Sequence, residues 1–200
     1  MFRRAGERAT ERPVPFDADR PAVEAARRDP RAFEPLYRKY VSQVYSFAVY
    51  ELRDHHRAED LTEAVFLRAL SALHRFDERG DGERSSFRVW LFQIARNAIA
   101  NERRRLRRRP EAPLEMAAFV AAADDPAAAA GERDAMARAW RAIDGLPDDR
   151  RRALVLRFVE EMSTAEIAAV LGRSEGAVRV LIHRALRAVA RATDGHGDAS

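Results

Sequence analysis

The 200-residue chain contains no cysteine, which excludes disulfides, thiol catalysis and cysteine-based zinc sites. It has a single lysine, Lys39, so almost every cationic group is a guanidinium. No apolar run is long enough to span a membrane, and the N-terminus lacks the unbroken apolar stretch of a signal peptide. A cytoplasmic protein with no membrane insertion is therefore expected. Strand signals are nearly missing too. Alternating runs are few, and no Asn-Gly or Asp-Gly hairpin links apolar stretches. Asp81-Gly82 lies in the polar segment Asp77 to Ser86, which reads as a loop between two helical patterns.

Helical periodicity is what remains, and it predicts an all-α protein made of two small helical domains joined by a flexible linker. Residues 1–20 are charged and proline-containing and read as a disordered tail. The first domain is placed at 21–109, opening at Pro21, a residue suited to a first helical turn. Its apolar faces are Phe33, Leu36, Tyr37, Tyr40, Val41 and Val44; then Leu61, Val65, Phe66 and Ala69; then Phe87, Trp90, Leu91, Ile94 and Ala95. Residues 110–132 are rich in proline, alanine and acid, and are read as the linker, with a weak helix conceivable over Leu114 to Ala123. The second domain, 133–193, has helical segments at Ala135 to Ile143, anchored by Trp140, and after Leu146-Pro147, carrying Leu154, Leu156, Phe158 and Val159. Residues 194–200 form a C-terminal tail.

Charge is distributed unevenly. The net charge is +4 and the pI about 10, which favours anionic partners. The third helix of the first domain runs into Arg103, Arg104, Arg105, Arg107, Arg108 and Arg109. Cations suit a helix C-terminus, but this run exceeds what capping requires, and phosphate contact is the expectation.

Ala165 to Leu186 reads as a helix-turn-helix. Ser163 and Glu166 are in capping-box order, and Ile167, Val170 and Leu171 form one apolar face. Ala168 is small where two helices must cross closely, and Gly172 can take the left-handed conformation that ends the first helix. Ser174 is a favoured N-cap for the second helix. Val178, Leu181, Ile182, Ala185, Leu186 and Val189 are expected to pack inward. Glu175, Arg179, His183, Arg187 and Arg191 recur every four residues on another face, where they can approach phosphates and base edges. The motif usually presents its second helix to the major groove.

These residues resemble the extracytoplasmic-function (ECF) sigma factors. Leu146-Pro147, Leu154-Val155-Leu156-Arg157-Phe158, Ser174-Glu175-Gly176 and His183-Arg184-Ala185 are similar to sigma region 4. Glu59-Asp60-Leu61, Phe66-Leu67-Arg68-Ala69, Phe87, Trp90-Leu91 and Ile94-Ala95-Arg96-Asn97 are similar to region 2. The resemblance implies a non-enzymatic protein without cofactor or metal that binds core RNA polymerase and directs it to promoter DNA. It implies that region 2 melts and reads the −10 element, that region 4 reads the −35 element as duplex, and that an anti-sigma factor holds the protein inactive. Carried over residue by residue, −35 contacts fall to Arg173, Ser174, Glu175, Gly176, Arg179, Val180, His183, Arg184 and Arg187. Contacts to the −10 element fall to Arg88, Trp90, Arg96, Asn97, Asn101, Arg104 and Arg105. Core polymerase contacts fall to Glu59, Asp60, Leu61, Glu63, Phe66 and Arg68.

The chain departs from the family pattern at several positions. Glu63 and Ala64 replace a common Gln-Glu pair, Leu70 an aromatic, Asn101 an aspartate, and Val180-Leu181-Ile182 a frequent Ser-Arg-Leu. The last change leaves fewer polar groups for the groove and predicts an unusual promoter preference. Phe87 and Trp90 offer stacking platforms for bases, but their spacing with Leu91 and Ile94 favours core packing. A conventional helix-turn-helix regulator is the alternative reading, although it leaves the first domain unexplained. A metal site at His55, His56, Glu59 and Asp60 lacks any readable catalytic constellation around it.

Overall fold

The computed structural model describes residues 19–77, 86–108 and 138–194. Residues 1–18 of the expected N-terminal tail, most of the loop at Asp77 to Ser86, Arg109, the linker with its weak helix, and the C-terminal tail beyond Asp194 lie outside these residues, whereas Asp19 and Arg20, read as tail, are helical. Among the described residues every regular element is helical.

The first block begins with α1 (Asp19–Arg28), two residues before Pro21. Asp29 then accepts from the Arg31 N–H and opens a single 3-10 turn, Pro30–Phe33. α2 (Glu34–Leu52) ends at Arg53, which takes the left-handed conformation at φ 57° and returns its N–H to the Val49 carbonyl. α3 (His55–Ala72) starts behind Asp54, whose carboxylate accepts from the Arg57 N–H. α4 (Phe87–Arg108) is the long element, about 33 Å at 1.5 Å per residue. Lys39, the only lysine, reaches the buried Asp19 carboxylate at 2.5 Å, and the Tyr40 hydroxyl donates to its other oxygen. This ties α1 to α2.

Aromatic rings fill the centre of this block. Phe87 meets Phe33 and Phe76 edge-on at 6.3 and 6.0 Å, and lies 5.9 Å from Tyr40 and 5.7 Å from Trp90. Leu61, Val65, Phe66 and Ala69 of α3 are buried as their spacing predicts, together with Leu91 and Ala95 of α4. Tyr37 is a correction: it shares the α2 pattern but is 45% exposed, its ring resting on Phe66 at the surface.

The second block comprises α5 (138–144), α6 (Asp148–Leu154), α7 (Thr164–Leu171) and α8 (Glu175–Asp194). Between α6 and α7 the chain widens into a π turn, Val155–Val159, closed by Glu160 N–H to the Val155 carbonyl at 3.1 Å. One extra residue per turn rotates the apolar phase by about 100°. Phe158, one of the apolar residues this segment carries, points out and is 59% exposed. The α7 capping box is present in both directions, Glu166 N–H to Ser163 Oγ and Ser163 N–H to Glu166 Oε2. Gly172 ends α7 at φ 65°, a conformation that costs any L side chain strain.

α4 packs on both blocks. Its Leu91, Phe92, Ala95 and Ile99 belong to one buried cluster that includes Val155, Leu156, Met162, Ile167 and Val170. A smaller cluster of Leu146, Leu154 and Ala185 joins α6 to α8. The inward stripe of α8 is Val178, Ile182, Ala185 and Val189. Leu186 falls on the flank of that stripe and is exposed, contrary to its expected inward place.

Candidate nucleic-acid and polymerase interfaces

Three surfaces collect the residues singled out by sequence. The first is the outer face of α8. Ser174 caps it, its hydroxyl accepting from the Ala177 N–H at 3.2 Å. Glu175, Gly176, Arg179, Val180, His183, Arg184, Arg187 and Arg191 are all exposed along the helix. Glu175 and Arg179, one turn apart, are paired at 2.9 Å. Arg173, in the turn, pairs with Asp149 at the start of α6. The face therefore alternates cations with one acid and an exposed valine, the mixture that reads phosphates, base edges and thymine methyls.

The second surface is α4, which the structure divides. Asn97, Asn101, Arg104 and Arg105 are exposed, and Asn101, Arg104, Arg105 and Arg108 line a shallow basic concavity at the helix end. Arg104 donates to the Asn101 side chain at 2.5 Å and Arg105 to Glu102 at 2.8 and 2.9 Å. The Arg105 hydrogen bond, with one from Arg57, holds the Glu102 carboxyl below its ordinary range against the opposing effect of burial. Trp90 is half-buried and packs on Phe76 and Phe87, so its ring serves the core. Arg88 is half-buried and turned towards the second block. It donates to the Glu160 carbonyl and lies 3.7 Å from Glu166. Arg96 faces the Gly172 turn, where a Cβ on that glycine would stand 3.9 Å from its Nη1.

The third surface lies on α3. Glu59, Asp60, Glu63 and Arg68 are exposed, whereas Leu61 and Phe66 are buried beneath them. An apolar groove between α2 and α3 is lined by Phe33, Tyr37, Phe66, Leu67 and Leu70, with Glu59 and Glu63 at its edge. Exposed apolar surface rimmed by charge is the usual form of a protein-binding site. His55 is engaged with the Tyr45 hydroxyl at 2.8 Å, and among the described residues no group of three or more histidines and acids is placed to hold a metal.

Sequence reasoning missed a fourth set, the contacts between blocks. Tyr50 stacks on Trp140 at 5.2 Å, Arg53 meets Asp144 at 2.6 Å, and Arg152 forms a two-pronged bond to Glu51 at 2.7 and 3.1 Å. One signal was available. Glu51 continues the inward stripe Tyr40, Val44, Phe47 and Ala48, and an acid on such a stripe needs a buried cationic partner.

Glu160, between π turn and α7, is also buried, and its Oε1 has no hydrogen-bond partner among the described residues. Burial raises its carboxyl to about 7, with the Arg88 charge opposing. The native state then keeps a proton that the unfolded chain releases near 4.5, so the contribution of Glu160 to stability is fully present below 4.5 and is lost as pH rises from 4.5 to 7. Glu160→Gln removes that loss, at most about 3 kcal/mol. Urea melts at pH 5 and pH 8 should show a smaller drop for the variant; equal drops would mean Glu160 titrates normally.

Comparisons with known proteins fall on the same two blocks. The family model for Sigma-70 region 2 matches residues 36–109, and that for Sigma-70, region 4 matches residues 136–189. The chain is 33% identical over 186 residues to the RNA polymerase sigma-H factor of Pseudomonas aeruginosa, covering 88% of this chain and 94% of that protein. It is 35% identical over 161 residues to the ECF RNA polymerase sigma factor BldN of Streptomyces coelicolor, covering 80% of this chain but only 60% of that longer relative. Among solved structures, CnrH in complex with the cytosolic domain of CnrY aligns with a TM-score of 0.65 at 27% identity, covering 90% of this chain and 100% of that one.

Proposed function

This chain belongs to the ECF sigma factors of the sigma-70 family, and we propose that it binds core RNA polymerase and directs it to a specific set of promoters in the cytoplasm. The polymerase supplies the chemistry and the sigma factor the recognition. In this reading residues 21–109 are region 2, residues 133–193 are region 4, and residues 110–132 link them.

The observation that carries the reading is the exposed α8 face, set behind the Gly172 turn, on the same chain as a region 2 bundle with its own basic helix end. α8 enters the major groove of the −35 element. Arg173 and Ser174 hold a phosphate at the helix mouth, Glu175 accepts from a cytosine amino group, Arg179 and His183 approach base edges, and Arg184 and Arg187 contact phosphates. Gly176 lets the backbone approach closely, and Val180 offers an apolar contact. On region 2, Arg88, Arg96, Asn97, Asn101, Arg104 and Arg105 contact the melted −10 strand, combining a basic track with hydrogen-bonding side chains. Trp90 supports that helix from beneath. Glu59, Asp60, Glu63 and Arg68, held in place by buried Leu61 and Phe66, form the polymerase-facing side of α3. CnrH, a structural relative, is bound to the cytosolic domain of CnrY, which supports regulation of this chain by an anti-sigma protein.

Run-off transcription tests the function: core RNA polymerase from the source organism on its own genomic fragments, with and without the chain. New discrete start sites that require both components are expected. Tight duplex binding by the chain alone with no new starts would instead indicate a conventional helix-turn-helix regulator.

A further inference from the structure

The groove between α2 and α3 encloses about 710 Å³ and is floored by Phe33 and Phe66. One wall is Tyr37, Val41 and Tyr45, at successive turns of α2, and the other carries Leu67 and Leu70 of α3. Tyr37 and Leu67 leave 45% and 57% of their surface to water. Apolar surface gathered in a concavity favours an occupant that takes it out of water. The rim sets the charge of that occupant. Glu34, Glu59 and Glu63 line it, against Arg31 as the one cation among the described lining residues. Glu34 is already paired with Arg38 at 2.7 Å, whereas Glu59 and Glu63 are exposed about one turn apart on α3. The complementary ligand is an apolar ring followed by two cations.

The sequence opens with such a segment, Met1-Phe2-Arg3-Arg4. Its root is on the right helix. Asp19, the first described residue, is fastened to α2 through Lys39 and Tyr40. Lys39 stands about 200° round α2 from Val41 of the groove wall, so the segment has to cross that helix. Half the circumference of a helix is about 15–19 Å. Phe16 lies at most about 10 Å along the chain from Asp19 and falls short, whereas Phe2 has up to about 55 Å of reach. The stretch at 110–132 also carries a phenylalanine, Phe119, but Glu111, Glu115, Asp124 and Asp125 around it are repelled by the acidic rim. A tethered segment is held beside its site at about 1 mM, so a contact with a Kd of about 0.5 mM fills the site about two-thirds of the time.

We propose that the α2–α3 groove is the docking site of the chain's own N-terminal segment, with Phe2 seated against Tyr37, Phe66 and Leu70 and with Arg3 and Arg4 on Glu59 and Glu63. Those two acids belong to the side of α3 assigned above to polymerase, so the docked segment competes with polymerase for them and weakens its binding. The competition rests on the sigma-factor reading; the docking itself does not.

The absence of cysteine makes Leu67→Cys a single-thiol probe of the groove in the full chain, with any tag at the C-terminus. Its rate of modification by a maleimide reports how far the groove is covered. Deleting residues 2–12 should raise that rate about threefold or more, the effect of two-thirds occupancy. Arg3→Glu with Arg4→Glu should raise it nearly as much. Adding Glu59→Arg and Glu63→Arg to that charge-reversed segment should restore the slow rate, which a merely loosened groove would not do. In the chain that keeps Leu67, the same deletion should tighten core polymerase binding about threefold or more. A rate indifferent to both segment variants would overturn the docking. So would protection that follows protein concentration rather than the segment, which would assign the groove to a second copy of the chain. Segment-dependent protection with unchanged polymerase affinity would overturn the competition alone. Segment-dependent protection in a chain that binds no polymerase in either form would sink the sigma-factor reading and leave the docking standing.

Discussion

Phe87→Ala should lower the stability of the chain by about 3–5 kcal/mol, the usual cost of removing a large buried aromatic ring. Phe87 is fully buried and is the first residue of α4. Its ring touches four others, Phe33, Tyr40, Phe76 and Trp90, contributed by the 3-10 turn, α2, the end of the α3 segment and α4 itself. No single neighbour can move to fill the space without leaving another contact, so collapse of the cavity is opposed on several sides. The functional consequence follows from position. Arg88, Asn97, Asn101 and Arg104 ride on the helix that Phe87 anchors, so loosening its start misplaces the proposed −10 contacts while leaving α8 intact. Chemical denaturation followed by circular dichroism checks the stability, with Phe87→Leu as a control that keeps most of the volume and should recover more than half of it. A loss for Phe87→Ala below about 1 kcal/mol would mean that the site repacks freely.

The parts of this architecture legible in the sequence are those written in local chemistry. Ser163 and Glu166 announce the start of α7, Gly172 its end and Ser174 the next start, because caps and left-handed turns depend on side chains within four residues of one another. The outward stripe of α8 was legible for the same reason. What escaped is non-local or breaks the period. Glu51 and Arg152 are 101 positions apart, and no window of periodicity relates them. The segment carrying Leu154, Leu156, Phe158 and Val159 was read as one helix, but the π turn at Val155–Val159 interrupts it and leaves Phe158 exposed. Leu186 was assigned inward because an apolar residue near a stripe looks like part of it, whereas Ala185 takes the buried position. Tyr37 obeys the α2 period but sits over the groove with Phe66 beneath it, a placement decided by how α2 meets α3.

The arginine run at the end of α4 shows the same division within a few residues, and it yields the second large effect. Helical geometry sends Arg103 inward to Glu51 and Asp148, and leaves Arg104 and Arg105 on the outside beside Asn101 and Arg108. Arg104→Ala with Arg105→Ala should therefore weaken promoter binding by the holoenzyme and flatten its salt dependence. Each lost phosphate contact removes about 0.7–0.9 units from the slope of log affinity against log salt, so the double variant should lose about 1.4–1.8 units. The folding cost should be small, since both side chains are exposed and Glu102 keeps its Arg57 partner at 3.1 Å. Arg103→Ala supplies the contrast. It removes part of the contact between blocks, so it should cost stability while the salt slope of bound holoenzyme stays near the original. Promoter affinity measured by fluorescence anisotropy across a salt series separates the two. An unchanged slope for the double variant would show that the outer arginines are merely solvated. A slope change for Arg103→Ala as large as that of the double variant would show that Arg103 also reaches a phosphate in the bound holoenzyme.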